Sequence, residues 1–344
     1  MSATFECNIC GAENQLPAEG FARDAASCAG CRSTVRLRSL LCAFSVELFN
    51  ARLKVPDFPT IKSIRGLGIS DDGAYAPYLA DRFDYRNTFY DREPRFDLTR
   101  PLVAEHGLYD FVLAGDVFEH VAPPVGPAFR NVLDLLKPDG FLALSVPYSL
   151  EDATREHCPS LKDYSLVQVG GQLALVNRTQ DGDWQVFDRL VFHAGVGYTV
   201  ELRIFSQADL RRLLVEAGSR RVSFVVEEYL PFGIVHKEIC SLPVVAGKGP
   251  ACLSREALGE LALEYLRWKK TEARCHELSA HLKTVDSELE ERTRWAVQLK
   301  AENDEFRRTL DNWMRSRWVQ LGHVLGLGPT SARDGGRAGP RTDS

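Results

Sequence analysis

YDFVLAGDVFEHV, residues 109–121, decides the fold. Its first half, Tyr109 to Gly115, is too continuously apolar for a half-exposed strand and reads as a strand buried on both faces. Three ionisable groups, Asp116, Glu119 and His120, follow within five residues. Downstream comes LLKPDGFLALSVPY (135–148): the end of a helix over 125–137, a stop and turn at Lys137-Pro138-Asp139-Gly140, and a second buried strand over 141–148. Upstream, IRGLGISDDG (64–73) carries a strand over 61–67 into a glycine turn, with a helix over 74–83 and a strand over 85–91 behind it. Strands that alternate with helices predict a mostly parallel, doubly wound α/β sheet. Such sheets bind ligands at the carboxyl ends of their strands. The loops 68–73, 91–97 and 116–121 all follow strands, so they are expected to line one crevice.

The 344 residues suffice for one domain of roughly 200 residues with appendages. A formal charge of −5 gives no electrostatic case for a nucleic-acid binder. No apolar run reaches the ~18–20 residues of a membrane span. The first residues, MSATFECNIC, lack a secretory pattern, and the cysteines are odd in number. These features predict a cytoplasmic protein.

Four zones follow. Residues 1–55 hold the paired cysteines and a helix-like run. Residues 56–250 carry the α/β pattern, with a β-hairpin insertion at 164–205 turned by Asp181-Gly182. A helix over 206–218 then has Ser206 as N-cap, Asp209 in its first turn and Gly218 as stop. Two late strands, within RVSFVVEEYL and EICSLPVVA, are expected to close the sheet edge as an antiparallel pair. Residues 254–320 are charged and heptad-patterned, and 328–344 have the composition of a disordered tail.

Cys7-x-x-Cys10 and Cys28-x-x-Cys31 are two thiolate pairs, each able to grip one metal from a tight turn. Together they make a closed four-sulfur shell, the signature of a structural zinc site without an open catalytic position. Cys42, Cys158, Cys240, Cys252 and Cys275 show no pairing pattern.

GDVFEHV with LKPDGFLALSVP, after a glycine turn, helix and strand, resembles class I S-adenosylmethionine-dependent methyltransferases, and most closely their broad type-11 branch. The resemblance covers about residues 60–246. It implies a Rossmann-like methyltransferase sheet and S-adenosylmethionine as cofactor. Gly66, Gly68 and Ser70 would form the cofactor turn, with Gly68 against the methionine part. The family has an acid where Gly66 stands and a second glycine where Ser70 stands. Asp91 would hold the ribose, Asp97 the adenine amine, and Asp116 and Val117 would lie behind the cofactor, with Glu119 and His120 toward the substrate. Tyr148 and His157 are candidates for the acceptor side, and His193 and Tyr198 are weaker ones.

The sulfonium is itself a strong electrophile, so such a protein needs chiefly to align the acceptor and accept a proton. His120 is the leading base, with an ordinary pKa near neutrality. The other reading of His120 is a histidine that bonds the loop backbone. The acceptor is unidentified: a small-molecule or glycan-linked group methylated on oxygen is the leading idea. RNA is an alternative substrate, motivated by Arg32, Arg36 and Arg38, and a catalytically inactive scaffold is another, motivated by Gly66 and Ser70.

From 275 to 313 a heptad register places Cys, Leu, Leu, Ala, Asn303 and Leu at a, and Leu, Val, Arg, Leu, Phe and Trp at d. Asn at one a position fixes register and strand number. This predicts a homodimer through a parallel coiled coil; a long helix packed on the sheet domain is the other reading. In the segment 316–328, Trp318, Leu321, Val324 and Leu325 share one face, suited to oligomer packing or to peripheral contact with a membrane.

Overall fold

The computed structural model describes residues 2–17, 21–192, 199–237, 241–249 and 255–326. It divides into two units, Met1–Tyr265 and Leu266–Ser344.

The first unit opens with the hairpin β1 (Ser2–Glu6) and β2 (Glu13–Pro17), then α1 (Val35–Phe49). Thr34 starts α1 by accepting from Leu37 N, and Asn50 ends it in the left-handed region, where asparagine is tolerated. The sheet follows as β3 (Arg65–Ile69), α2 (Ala76–Arg82), β4 (Asp84–Thr88), β5 (Tyr109–Gly115), α3 (Gly126–Asp134) and β6 (Leu136–Ser145). Short strands β7 (Tyr148–Ser149) and β8 (Arg155–Glu156) precede a three-stranded meander of β9 (Asp163–Val169), β10 (Gln172–Arg178) and β11 (Trp184–Phe187). After β12 (Val191–Phe192), β13 (Val200–Glu201) and β14 (Arg203–Ser206), α4 (Gln207–Glu216) leads to β15 (Arg221–Phe224) and β16 (Val244–Gly247).

The central sheet has the order β15-β16-β6-β5-β3-β4. β4, β3, β5 and β6 run parallel, and β16 is antiparallel to both neighbours. The chain therefore builds from β3 outward to β4, then restarts at β5 and builds the other way. That reversal makes the gap between the ends of β3 and β5 the topological switch point.

β5 shows why the sheet is buried on both sides. Phe111 and Leu113 join one core with α1, α2 and Cys7 and Cys28, while Val112 and Ala114 join the other with α3 and α4. The cysteine segment thus shares a core with the sheet. Each side is a close-packed apolar layer, such as Phe118 stacked on Phe129 at 4.1 Å between centroids.

Several boundaries differ from expectation for identifiable reasons. The first strand begins at Arg65, because Ile61 and Ile64 anchor a turn on the end of α2, where Ile61 N donates to Arg82 O and Asp84 N to Ile64 O. The helix expected over 125–137 ends at Asp134, and Lys137-Pro138-Asp139-Gly140 lies inside β6. There the register with β5 jumps from Tyr109–Leu136 to Phe111–Phe141, so those residues form a bulge instead of a stop. Lys137 Nζ fixes the bulge by donating to Asp110 Oδ2 at 2.7 Å. The expected hairpin is a meander with turns at Gly170-Gly171 and at Asp181-Gly182, all three glycines being left-handed. Ser206 caps α4 through Asp209 N, and Gly218 follows at φ 108°.

The second unit holds most of α5 (Arg255–Met314) and all of α6 (Arg317–Val324). Among the described residues no helix is long and apolar enough to cross a membrane.

Candidate functional site

Two non-glycine residues with left-handed backbone stand at the switch point. Ser70, one residue past β3, has φ 58°, and Asp116, one past β5, has φ 53°. Such a conformation costs an ordinary residue roughly 1 kcal/mol or more. Ser70 therefore sits in a backbone shape natural to glycine. Both turns are pinned: Ser70 N donates to Thr88 O at 2.7 Å and Asp116 N to Ser145 O at 2.8 Å.

The glycine turn has a specific interior. A Cβ on Gly66 would stand 2.1 Å from Phe111 Cζ, so Gly66 makes room for a core ring and no acid fits there. A Cβ on Gly68 would meet Tyr85 Oη at 2.1 Å and Asp71 Oδ2 at 2.5 Å. A carboxylate, that of Asp71, stands beside Gly68. Asp72 shapes the turn before α2, its side chain accepting from Ala74 N, while Asp71 turns inward. Asp71 is buried and accepts from Tyr75 and Tyr85, and Asn87 binds its backbone on both sides. Burial raises its pKa to about 7, against the opposing effect of the two phenol hydrogen bonds. A capping role alone does not describe this residue, and the signal for it, a tyrosine at alternate distance in the next strand, is long-range.

Asp116 is the second acid. Its Oδ1 accepts from Ser145 Oγ at 2.6 Å, and its Oδ2 lies 2.7 Å from Arg23 Nη2 and 3.4 Å from Arg36 Nε. Burial acts to raise its pKa, but Arg36, Arg23 and the Ser145 hydroxyl outweigh it and hold the carboxyl below its ordinary value. Arg23 and Arg36 come from the cysteine segment and from α1, so this segment closes over the carboxyl end of β5.

The remaining expected residues separate. Val117 begins the 3-10 turn Phe118–His120 and packs on the α3 side of the core. Glu119, expected toward the substrate, is fully buried, and burial, with the nearby Asp116 charge, raises its pKa well above normal. His120 Nδ1 donates to Val200 O at 2.8 Å, and its Nε2 lies 3.7 Å from Glu119 Oε1. Asp91 is exposed, and Asp97 accepts from Thr99 in its own turn. Tyr148 is buried, His157 Nε2 lies 2.9 Å from Glu201 Oε1, and His193 and Tyr198 fall outside the described residues.

The four cysteines meet. Their Sγ atoms all lie within 4.8 Å of one another, with Cys7–Cys31 at 3.7 Å and Cys10–Cys28 at 3.6 Å. A tetrahedron of zinc–thiolate bonds has edges of about 3.8 Å, so the donor set fits such an ion. Ser33 Oγ touches Cys7 Sγ at 3.3 Å, and the buried Arg38 guanidinium donates to Ser33 Oγ, Ser33 O, Ser27 Oγ and Gly233 O. Of the arginines that suggested RNA, Arg38 is thus internal and Arg36 is paired with acids.

No protein-family model matches the sequence, and no curated protein does. Solved structures give distant likenesses. A 1,6-didemethyltoxoflavin-N1-methyltransferase from Burkholderia thailandensis aligns at 14% identity and TM-score 0.35, over 62% of this chain and 79% of that one. An amino pentose methyltransferase from Micromonospora echinaspora aligns at 17% and 0.35, over 63% and 92%. An S-adenosylmethionine-dependent methyltransferase from Clostridium acetobutylicum aligns at 10% and 0.34, over 61% and 89%. The sheet order and the switch-point residues carry the functional reading without them.

Proposed function

We propose that this chain transfers a methyl group from S-adenosylmethionine to an acceptor held at the carboxyl edge of the central sheet. One observation carries the reading: Ser70 and Asp116, both left-handed, end the two strands that flank the switch point. Gly68, Ser70 and the turn to Gly73 would hold the cofactor's methionine end, and Asp116 and Val117 the wall behind it. The cofactor supplies an electrophilic methyl group. The protein's work is then to align the acceptor and shield the site. His120, its Nδ1 bonded to Val200 O and its Nε2 3.7 Å from Glu119 Oε1, is the proposed proton acceptor. Micromolar binding of S-adenosylmethionine and S-adenosylhomocysteine by the folded protein supports this reading. A folded protein that binds neither is the inactive scaffold.

The four-cysteine cluster is assigned to one structural zinc ion. Metal analysis of protein purified without chelators should return one zinc per chain; iron or no metal contradicts the assignment.

The long helix is assigned to a parallel coiled coil with a second copy. Its a and d residues Leu278, Leu282, Val285, Leu289, Leu299, Phe306, Leu310 and Trp313 are 45 to 66% exposed. In a parallel, in-register pair Glu302 faces the partner's Arg307, Trp295 the partner's Lys300 and His281 the partner's Asp286, with no like charges opposed. Arg292 at d is the one charged break in the stripe. The exposed Trp318, Leu321 and Val324 of α6 fit packing in the same assembly.

A further inference from the structure

We propose that the cavity beside Arg23 and Arg36 seats an anionic group of the acceptor, a carboxylate or a phosphate, in the place that Asp24 takes in the free protein. This inference rests on the methyl-transfer reading and names its substrate class.

The cavity holds about 420 Å³ and is lined by Arg23, Asp24, Arg36, His236, Lys237 and Ser241 among others. Its position separates it from the glycine turn. Leu242 and Pro243, also in its wall, lead into β16, whose amino end lies beside the carboxyl end of β6. A Cβ on Gly115 would lie 3.5 Å from Arg36 Nη1 and 3.8 Å from Ser145 Oγ, which places Arg36 over the ends of β5 and β6. The cavity therefore opens on the β5–β6–β16 half of the edge, while Gly68, Ser70 and Asp71 occupy the β3–β4 half.

Two guanidiniums hold two carboxylates there, and the carboxylates are not equivalent. Asp116 is the inner one, with 9% of its side chain exposed and a further bond from Ser145. Asp24 is the outer one, with 60% exposed, 2.6 Å from Arg23 Nη1 and 3.1 Å from Arg36 Nε. The inner acid orients the two arginines. The outer acid stands in water on a seat whose guanidinium donors match the oxygens of a carboxylate or a phosphate. A solvated carboxylate leaves such a seat at little cost, since exposed ion pairs contribute about 0–1 kcal/mol. With Asp24 swung away, Arg23 and Arg36 face an entering anion, and Asp116 is the remaining acid bonded to them among the described residues. Sequence gave no sign of this, because Arg23 and Asp116 lie 93 positions apart.

The test is calorimetric titration of the full-length, metal-loaded protein with inorganic phosphate and, separately, acetate, at constant ionic strength, with and without saturating S-adenosylhomocysteine. Asp24→Asn removes the internal competitor and should tighten binding by up to about fivefold. Arg36→Gln should abolish it. Both effects should persist with S-adenosylhomocysteine bound, and the tighter of the two probes identifies the acceptor's anionic group. Three results would overturn the proposal: neither anion binds, Asp24→Asn binds no more tightly than wild type, or S-adenosylhomocysteine displaces the anion, which gives the seat to the cofactor's own carboxylate. Anion binding by a protein that fails to bind S-adenosylhomocysteine would leave the seat standing and remove the methyl-transfer reading.

Discussion

The Tyr85 hydroxyl donates to the buried Asp71 carboxylate at the spot where a side chain on Gly68 would lie. This contact ties β4 to the turn after β3 and gives the turn its acid. It also sets a pH dependence. The folded-state pKa of Asp71 is about 7, above its ordinary 3.8. A raised acid pKa means the folded state holds the proton more tightly than the unfolded state. The resulting stability is fully present below about pH 4 and is lost as pH rises through 7. Melting temperatures measured from pH 5 to 8 should therefore fall for wild type relative to Asp71→Asn. Parallel curves would show that Asp71 is ionised throughout.

The residue type at position 66 is set by the core. Restoring an acid by Gly66→Asp would drive its Cβ into the Phe111 ring. Overpacking a core by that much costs about 1–3 kcal/mol, and burying a carboxylate adds more. The unfolding free energy from denaturant titration should drop sharply for Gly66→Asp and stay within about 1 kcal/mol of wild type for Ser70→Gly, whose backbone already suits glycine.

Arg38 supplies a buried positive charge with no carboxylate partner among the described residues, and it reaches Cys7 through the Ser33 hydroxyl. Four thiolates on a divalent ion carry a net negative charge that this guanidinium offsets. Arg38→Gln should lose metal to a competing chelator about 10–100-fold more readily, as expected for a residue that supports a ligand. Equal retention would reduce Arg38 to a packing residue.

Cys275 tests the coil. In a parallel, in-register dimer it faces the partner's Cys275 at an a layer, where sulfurs are close enough to join. Mild oxidation should give a covalent dimer that Cys275→Ser abolishes, with the mass in solution dimeric for both. A dimer that does not cross-link through Cys275 is antiparallel or out of register, and a monomer ends the assignment.

The sequence was most legible where local rules act alone. Tyr109–Gly115 is a strand of the expected limits because its apolar density admits few other folds. Ser206 and Asp209 cap a helix through a contact three residues long. Legibility failed where a distant partner decides. Phe111 explains Gly66, Tyr85 explains Asp71, and the bulge at 137–140 takes up the register shift between Tyr109 and Phe111 of β5. Glu119 looked like a crevice acid by position alone, yet the 3-10 turn after Asp116 folds its side chain into the interior.

The most direct measurement is calorimetric titration of the zinc-loaded protein with S-adenosylhomocysteine, for wild type and Asp116→Asn. Asparagine keeps the left-handed backbone available but removes the carboxylate proposed as part of the wall behind the cofactor. Micromolar binding by wild type, weakened about tenfold or more in a variant that is still folded, is the expected result. Absence of binding by a folded wild-type protein would contradict methyl transfer and leave the coil as the working part of the chain.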